Sequence, residues 1–125
     1  MKKVAVLLAP GFEEAEAIIT IDILRRLHIE VETLACAESR AVVSYHNIPM
    51  IADHTLVERS GEIYDAVVLP GGQKGSVNPA ASGDVIAFSQ THDAQNKPNC
   101  PICTAAAGGL GGDGNIRKQA EPGAA

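Results

Sequence analysis

Long apolar runs and an excess of positive charge are both lacking in this 125-residue sequence. After Met1, Lys2 and Lys3 only about six apolar residues follow, which is too few for a signal-peptide core or a membrane span. The formal net charge of -5 argues against nucleic acid or an anionic membrane surface as the main partner. We therefore expect a cytoplasmic protein with no membrane-spanning segment and no nucleic-acid partner.

Cysteine is scarce, and the three residues present, Cys36, Cys100 and Cys103, form an odd number. In a chain without an export signal this count predicts no structural disulfide framework. Cys100 and Cys103 form one C-x-x-C pair, and a dithiol redox site stays open as an alternative. Because a single pair without a second pair of ligands is a weak metal signal, we predict no metal site.

Histidine is absent after position 92, and the spacing of the four histidines does not suggest metal ligands: His28, His46, His54 and His92. His46 is the one candidate site residue among them. It lies in a short polar segment between apolar residues, and such a loop can reach over a site or a partner subunit.

The apolar content of 46% is enough for one domain with one core. Three segments have the composition of strands buried in a parallel sheet: residues 3–8, 29–36 and 63–69. Helical patterns cover residues 13–26 and 84–96, and residues 42–52 resemble a small hairpin or loop excursion. The alternation of strands and helices predicts an α/β fold with a parallel sheet.

The first predicted helix opens with Glu13, Glu14 and Glu16, where the helix dipole favours acidic groups. Its apolar stripe is predicted to contain Ala17, Ile18, Ile21, Ile23 and Leu24. Ligands of such sheets bind beyond the carboxyl ends of the strands, so the turn that opens this helix is a candidate part of a site.

The segment NCPICTAA at residues 99–106 joins a short apolar run to an alanine-rich stretch, with Cys103 at the junction. If a strand turns sharply into a helix here, the free N–H groups of the helix N-terminus lie beside the sulfur. They would lower the pKa of the thiol and favour the thiolate. Cys103 is therefore the predicted nucleophile.

Three further residues could complete a site around Cys103. Glu16 could point into the same crevice and, beside a thiolate, would tend to stay protonated and carry a proton. The alternative is a surface glutamate that interacts with the helix dipole. Gly72 could offer its backbone N–H to an oxyanion, with the Thr104 N–H as the second donor, although Gly-Gly after a strand is also common turn punctuation.

Four motifs together resemble the ThiJ/PfpI superfamily, in the branch of the Parkinson-disease-protein and YajL-like deglycases. They are VAVLLAPGFEEAE at 4–16, TIDIL at 20–24, YDAVVLPGG at 64–72 and IC at 102–103. The resemblance implies a flavodoxin-like parallel sheet sandwiched by helices, in a homodimer.

The same resemblance implies roles for individual residues. Cys103 matches the reactive cysteine at a nucleophile elbow, and Glu16 matches the protonated glutamate that hydrogen-bonds its sulfur. Gly72 and Thr104 match the two backbone donors to the oxyanion. His46 falls where relatives carry a basic residue that reaches the site of the partner subunit.

The activity implied by the resemblance is cofactor-free glyoxalase chemistry on methylglyoxal, repair of glycated adducts, and a role in oxidative or carbonyl stress. We therefore predict an enzyme that acts on small reactive aldehydes or their adducts without a metal or organic cofactor. A non-catalytic redox-sensing chaperone and an inactive fragment are the alternatives. A peptidase or amidotransferase with a Cys–His pair is disfavoured because no histidine follows Cys103.

The resemblance extends to about residue 106. We assign residues 1–106 to the ThiJ/PfpI-like domain and expect the glycine- and alanine-rich residues 107–125 to form a disordered tail. Pro101 departs from the family pattern, because proline cannot donate to a central ladder. We expect the C-terminal elements of the family fold to be missing, as truncation or a shifted reading frame past Cys103 would cause.

Overall fold

The computed structural model describes residues 2–71 and 83–101. Seven strands lie in this part of the chain: β1 (Lys3–Leu8), β2 (Glu30–Ala35), β3 (Ala41–Val43), β4 (Pro49–Ile51), β5 (His54–Thr55), β6 (Ala66–Leu69) and β7 (Asn99–Pro101). Two α-helices, α1 (Glu14–Arg26) and α2 (Gly83–Ala94), and a 3-10 helix (Val57–Arg59) accompany them. The predicted boundary at residue 106 and the predicted tail at 107–125 lie outside the described residues.

Five of the strands form one sheet in the order β5-β2-β1-β6-β7, and every pairing among them is parallel. The inner order, in which β1 lies between β2 and β6, is that of flavodoxin-like folds. The prediction of an α/β fold with a parallel sheet is therefore confirmed.

Strand β1 occupies the centre of this sheet. Its residues alternate between two apolar clusters: Ala5 and Leu7 pack in one, and Val4, Val6 and Leu8 pack in the other. Successive side chains of a strand point to opposite faces, so an all-apolar strand needs cover on both sides. Burying each of these larger side chains contributes about 1.5–3 kcal/mol, which keeps β1 in the core.

Helix α1 covers one face of the sheet, and its apolar stripe is narrower than predicted. Ala17 is fully buried, and Ile21 and Leu24 pack against the cluster around it. Ile18 and Ile23 are instead 48% and 50% exposed, so their assignment to the stripe is wrong. With 3.6 residues per turn, positions 17, 21 and 24 share one face, and positions 18 and 23 lie to its two sides.

The predicted hairpin is present as β3 and β4, which pair antiparallel in a separate two-stranded sheet. Two backbone hydrogen bonds attach it to the loop after β1. Gly11 N donates to Val43 O at 2.9 Å, and Tyr45 N donates to Phe12 O at 2.7 Å. The hairpin therefore lies next to the start of α1.

Strand β6 begins three residues later than predicted, because Tyr64 has another partner for its backbone. The Tyr64 N–H donates to Nε2 of the buried His92 on α2, at 2.8 Å. The ladder with β1 starts only at Ala66, opposite Val4.

In the part of the chain that the structure describes, no helix has the length and apolar character needed to cross a membrane.

Candidate functional site

The loops after β1 and β6 meet at one edge of the sheet. The two strands are parallel neighbours, so their carboxyl ends lie side by side. Helix α1 starts in the loop after β1, and Gly71 lies two residues beyond the end of β6. A ligand site is predicted at this edge from the sequence.

Glu16 lies at this edge. Its Oε1 accepts a hydrogen bond from the Gly71 N–H at 2.8 Å, and the contact is partly buried. The Gly71 carbonyl in turn accepts from the Glu13 N–H, also at 2.8 Å. The structure therefore brings together the first turn of α1 and the glycine turn after β6, which are 55 residues apart at their point of contact.

The other members of the predicted site lie outside the described residues. They are Cys103, Gly72 and Thr104, and their roles stay predictions. What the structure does show is the strand that precedes Cys103. Strand β7 runs parallel to β6, with Pro101 opposite Leu69, so it points toward the same edge as Gly71. Pro101 is the last residue of this strand.

His46 contacts the start of α1 in its own chain. Its Nδ1 lies 2.7 Å from Oε1 of Glu14 and 3.9 Å from Oε1 of Glu13. Its ring also packs edge-on against Tyr45, with 4.8 Å between the centroids. The predicted reach of His46 into a partner subunit's site stays a prediction.

The contact with His46 affects the charge of Glu14. Desolvation by burial opposes ionisation of this carboxyl group, but backbone hydrogen bonds and the hydrogen bond to His46 outweigh it. The net effect is that the pKa of Glu14 lies below its usual value. Glu14 is therefore an anion at neutral pH that holds the β3–β4 hairpin against α1.

Glu13, Glu14 and His46 also form the one group in the described residues that could hold a metal ion. One potential ligand atom from each lies within 4.8 Å of the others. Carboxylates and imidazole together suit a first-row ion such as zinc. The sequence gives no sign of this group, because His46 is 32 residues from Glu14 and only the hairpin brings them together. Without a metal, Glu13 caps α1 at Ala15 N, and Glu14 and His46 contact each other.

The two described cysteines are poor nucleophiles. Desolvation, with the nearby charge of Asp84 as a smaller cause, raises the pKa of Cys36 to about 12. Desolvation also raises the pKa of Cys100. Since the thiolate is the reactive form, neither residue is suited to attack a substrate at neutral pH.

The sequence profile described as the DJ-1/PfpI family matches residues 2–117 of this chain. The chain belongs to the DJ-1/PfpI family. The recognition made from the four motifs is therefore confirmed. Curated relatives agree with it: Protein DJ-1 homolog B of Arabidopsis thaliana is 34% identical over 84% of the chain, and Protein dj-1beta of Drosophila melanogaster is 40% identical over 60%.

Solved structures of DJ-1 proteins share the fold. The C103A mutant of a DJ-1 superfamily protein from Salmonella typhimurium is 71% identical, with a TM-score of 0.89 over 92% of this chain. Oxidized DJ-1 from Toxoplasma gondii is 32% identical, also with a TM-score of 0.89, over 94% of the chain.

This chain spans only part of the length of these DJ-1 relatives. It spans 24% of the Arabidopsis protein and 40% of the Drosophila protein. Of the Salmonella and Toxoplasma chains it spans 62% and 64%.

Proposed function

We propose that this chain carries a cysteine-dependent glyoxalase or deglycase-type site that acts on methylglyoxal or its adducts, with a role in oxidative or carbonyl stress. The observation that carries the proposal is the contact between the Glu16 carboxyl group and the Gly71 N–H. This contact lies at the sheet edge toward which β7, the strand that precedes Cys103 in the sequence, points. Family membership supports it, because Glu16 and Gly71 each belong to one of the motifs on which the family was recognised.

In the proposed reaction, the Cys103 thiolate adds to the aldehyde carbon of methylglyoxal. A carbon–sulfur bond forms, and the electron pair of the carbonyl bond moves to its oxygen. The Gly72 and Thr104 N–H groups stabilise this oxyanion. The scheme uses no metal and no organic cofactor.

Glu16, protonated at the start, gives its proton to this oxyanion; as a carboxylate it then takes the proton of the former aldehyde carbon and passes it to the ketone oxygen, which leaves an enediol. It next moves the proton of the first hydroxyl group to the former ketone carbon, which gives a lactoyl thioester. Water hydrolyses the thioester, which releases lactate and restores the Cys103 thiolate. Overall, methylglyoxal and water give lactic acid, with no external oxidant or reductant.

Two relatives support a reactive cysteine. The Salmonella structure is of a C103A mutant, so a cysteine with the same number was replaced in that protein. The Toxoplasma protein was solved in an oxidized form. Among the described cysteines of this chain, raised pKa values leave Cys36 and Cys100 as weaker candidates than Cys103.

Lactate formation from methylglyoxal tests the proposal. We expect Cys103→Ala to abolish turnover and Glu16→Gln to reduce it by about 100-fold or more, since general acid–base groups contribute typically 10²–10⁴-fold. Cys100→Ala is the matched control and should retain activity. Unchanged turnover in both site variants would refute the assignment.

A non-catalytic redox-sensing chaperone is the second candidate, and the oxidized Toxoplasma relative favours it. In this case Cys103 would be oxidised stepwise by peroxide, first to the sulfenic and then to the sulfinic acid. Mass spectrometry would show one and then two added oxygen atoms on Cys103, while no lactate forms. If Cys103 shows neither turnover nor selective oxidation, the chain is an inactive fragment.

We also propose that the chain forms a homodimer, as proteins of this family commonly do. Two exposed aliphatic residues support this: Ile18 of α1 and Ile51 of β4 both line a cleft of about 350 Å³ between these elements.

The cytoplasmic location stays a prediction that cell fractionation would test.

A further inference from the structure

The first turn of α1 shares one residue with a capping box, a glutamate at the third helical position, but its N-cap is Glu13 and its hydrogen bonds differ. In a capping box, the glutamate at the third helical position bonds back to the N–H of the N-cap residue. Here Glu13 is the N-cap and its side chain accepts from Ala15 N at 3.2 Å. Glu16 occupies the third helical position, and its Oε1 accepts from Gly71 N instead.

Gly71 bonds to both of the groups that a capping box would join to each other. Its N–H donates to Glu16, and its carbonyl accepts from the Glu13 N–H, both at 2.8 Å. The two groups that would bond to each other in an isolated helix are therefore both bonded to one glycine of another loop. Gly71 is therefore bonded to the first turn of α1 through both its N–H and its carbonyl group.

These two bonds restrain the peptide groups on both sides of Gly71. The N–H belongs to the peptide group shared with Pro70, and the carbonyl belongs to the one shared with Gly72. A peptide group is planar, so fixing its carbonyl also limits the direction of its N–H. The bonds from Glu13 and to Glu16 thus orient Gly71 at the edge of the sheet where the proposed mechanism needs its oxyanion donors.

We propose that Glu16 is a positioning residue for the turn at Gly71, in addition to any proton that it carries. The effect of this role on catalysis rests on the proposed function, whereas the positioning of the turn does not. It also restricts the proton chemistry: Oε1 accepts the Gly71 N–H, so a proton on this carboxyl group is carried by Oε2.

Substitutions of Glu16 can separate the two roles. Glutamine keeps a carbonyl oxygen that can accept from Gly71 N–H but cannot exchange a proton as a carboxyl group does. Alanine loses both properties. If Glu16 positions the turn, the two variants will differ; if it only carries a proton, they will behave alike.

The experiment measures hydrogen exchange of the Gly71 amide by NMR in the full chain, beside lactate formation. We expect the protection of this amide to fall at least about tenfold in Glu16→Ala and to stay within about threefold of wild type in Glu16→Gln. Both variants should lose kcat, but only Glu16→Ala should also raise KM. Asp22→Asn, a carboxylate-to-amide change elsewhere on α1, is the control and should change neither readout.

Equal Gly71 protection in the wild type and in Glu16→Ala would overturn the inference. If Glu16→Ala does not fold, Glu16→Asp replaces it, because retracting the carboxyl group by one methylene should also lower the protection; unchanged protection there has the same negative meaning. Hydrogen exchange needs no turnover. A wild-type chain that forms no lactate but whose Gly71 amide responds to Glu16 would refute the proposed function and leave the positioning role in place.

Discussion

The buried His92 imidazole accepts the backbone N–H of Tyr64 through Nε2, at 2.8 Å. Its Nδ1 lies 2.8 Å from the carbonyl oxygen of Phe88 and must donate to it. This pair of bonds needs the neutral ring with its proton on Nδ1, since the charged ring has no acceptor nitrogen. The contact joins α2 to the segment before β6 and so supports the strand that leads to Gly71.

We expect His92 to make the protein less stable in mild acid. Desolvation lowers the pKa of His92, and the charge of Lys97 lowers it further, against the hydrogen bond to Phe88. The unfolded chain, with a histidine pKa of about 6.5, then binds a proton that the folded chain resists. This contribution to stability is complete above pH 6.5 and is lost as the pH falls toward the folded-state pKa, with a slope of at most about 1.4 kcal/mol per pH unit.

Urea unfolding at several pH values between about 5 and 8 measures this effect. His92→Gln, which keeps a hydrogen-bond acceptor but does not titrate, should flatten the dependence on pH. His28→Asn, at an exposed position with a φ of 62°, is the control and should retain the wild-type slope. Equal slopes in the wild type and in His92→Gln would contradict the prediction.

The three cysteines should react with an alkylating agent at very different rates. Desolvation raises the pKa of both Cys36 and Cys100, to about 12 for Cys36, so both stay protonated at neutral pH. Alkylation of each residue against pH, followed by mass spectrometry, should show Cys103 alone reacting fast, with an apparent pKa well below about 8.5. If all three titrate alike near that value, the nucleophile elbow does not form in this chain.

A charge in the cleft between α1 and β4 should break the proposed homodimer. Ile51 is 67% exposed there, and an arginine in its place would have to lose the water around its charged group to pack against a second copy. Light scattering coupled to gel filtration should show a dimer for the wild type and a monomer for Ile51→Arg. Val57→Arg is the matched control, because Val57 is 65% exposed but lies on the 3-10 helix outside the cleft. A wild-type monomer, or an equally strong effect of Val57→Arg, would count against this interface.

Prediction from the sequence worked where one local pattern decided the outcome. The all-apolar segment at 3–8 became the central strand β1, and the acidic first turn became the start of α1. It was wrong where several packings fitted the same pattern. Ile18 and Ile23 suit an apolar stripe as well as Ile21 does, but the sheet covers only one side of the helix.

The candidate site, too, could be predicted from the sequence only in part. Glu16 could be selected from the sequence, because its place after the first strand and the family motif both indicate it. Its partner Gly71 could not, since Gly71 lies 55 residues away in the sequence. The Glu14–His46 contact was missed for a similar reason, as the sequence does not show how far the hairpin folds back on α1.

The sequence by itself determined the class of fold and the family, because buried parallel strands, helix starts and motifs are properties of short segments. Tertiary structure alone decided which groups meet: Glu16 with Gly71, Glu14 with His46, and Tyr64 with His92. The physical reason is that each of these hydrogen bonds joins segments that are 28 or more residues apart. Their geometry depends on the order of the strands in the sheet and on the packing of the helices against it, which no short segment specifies.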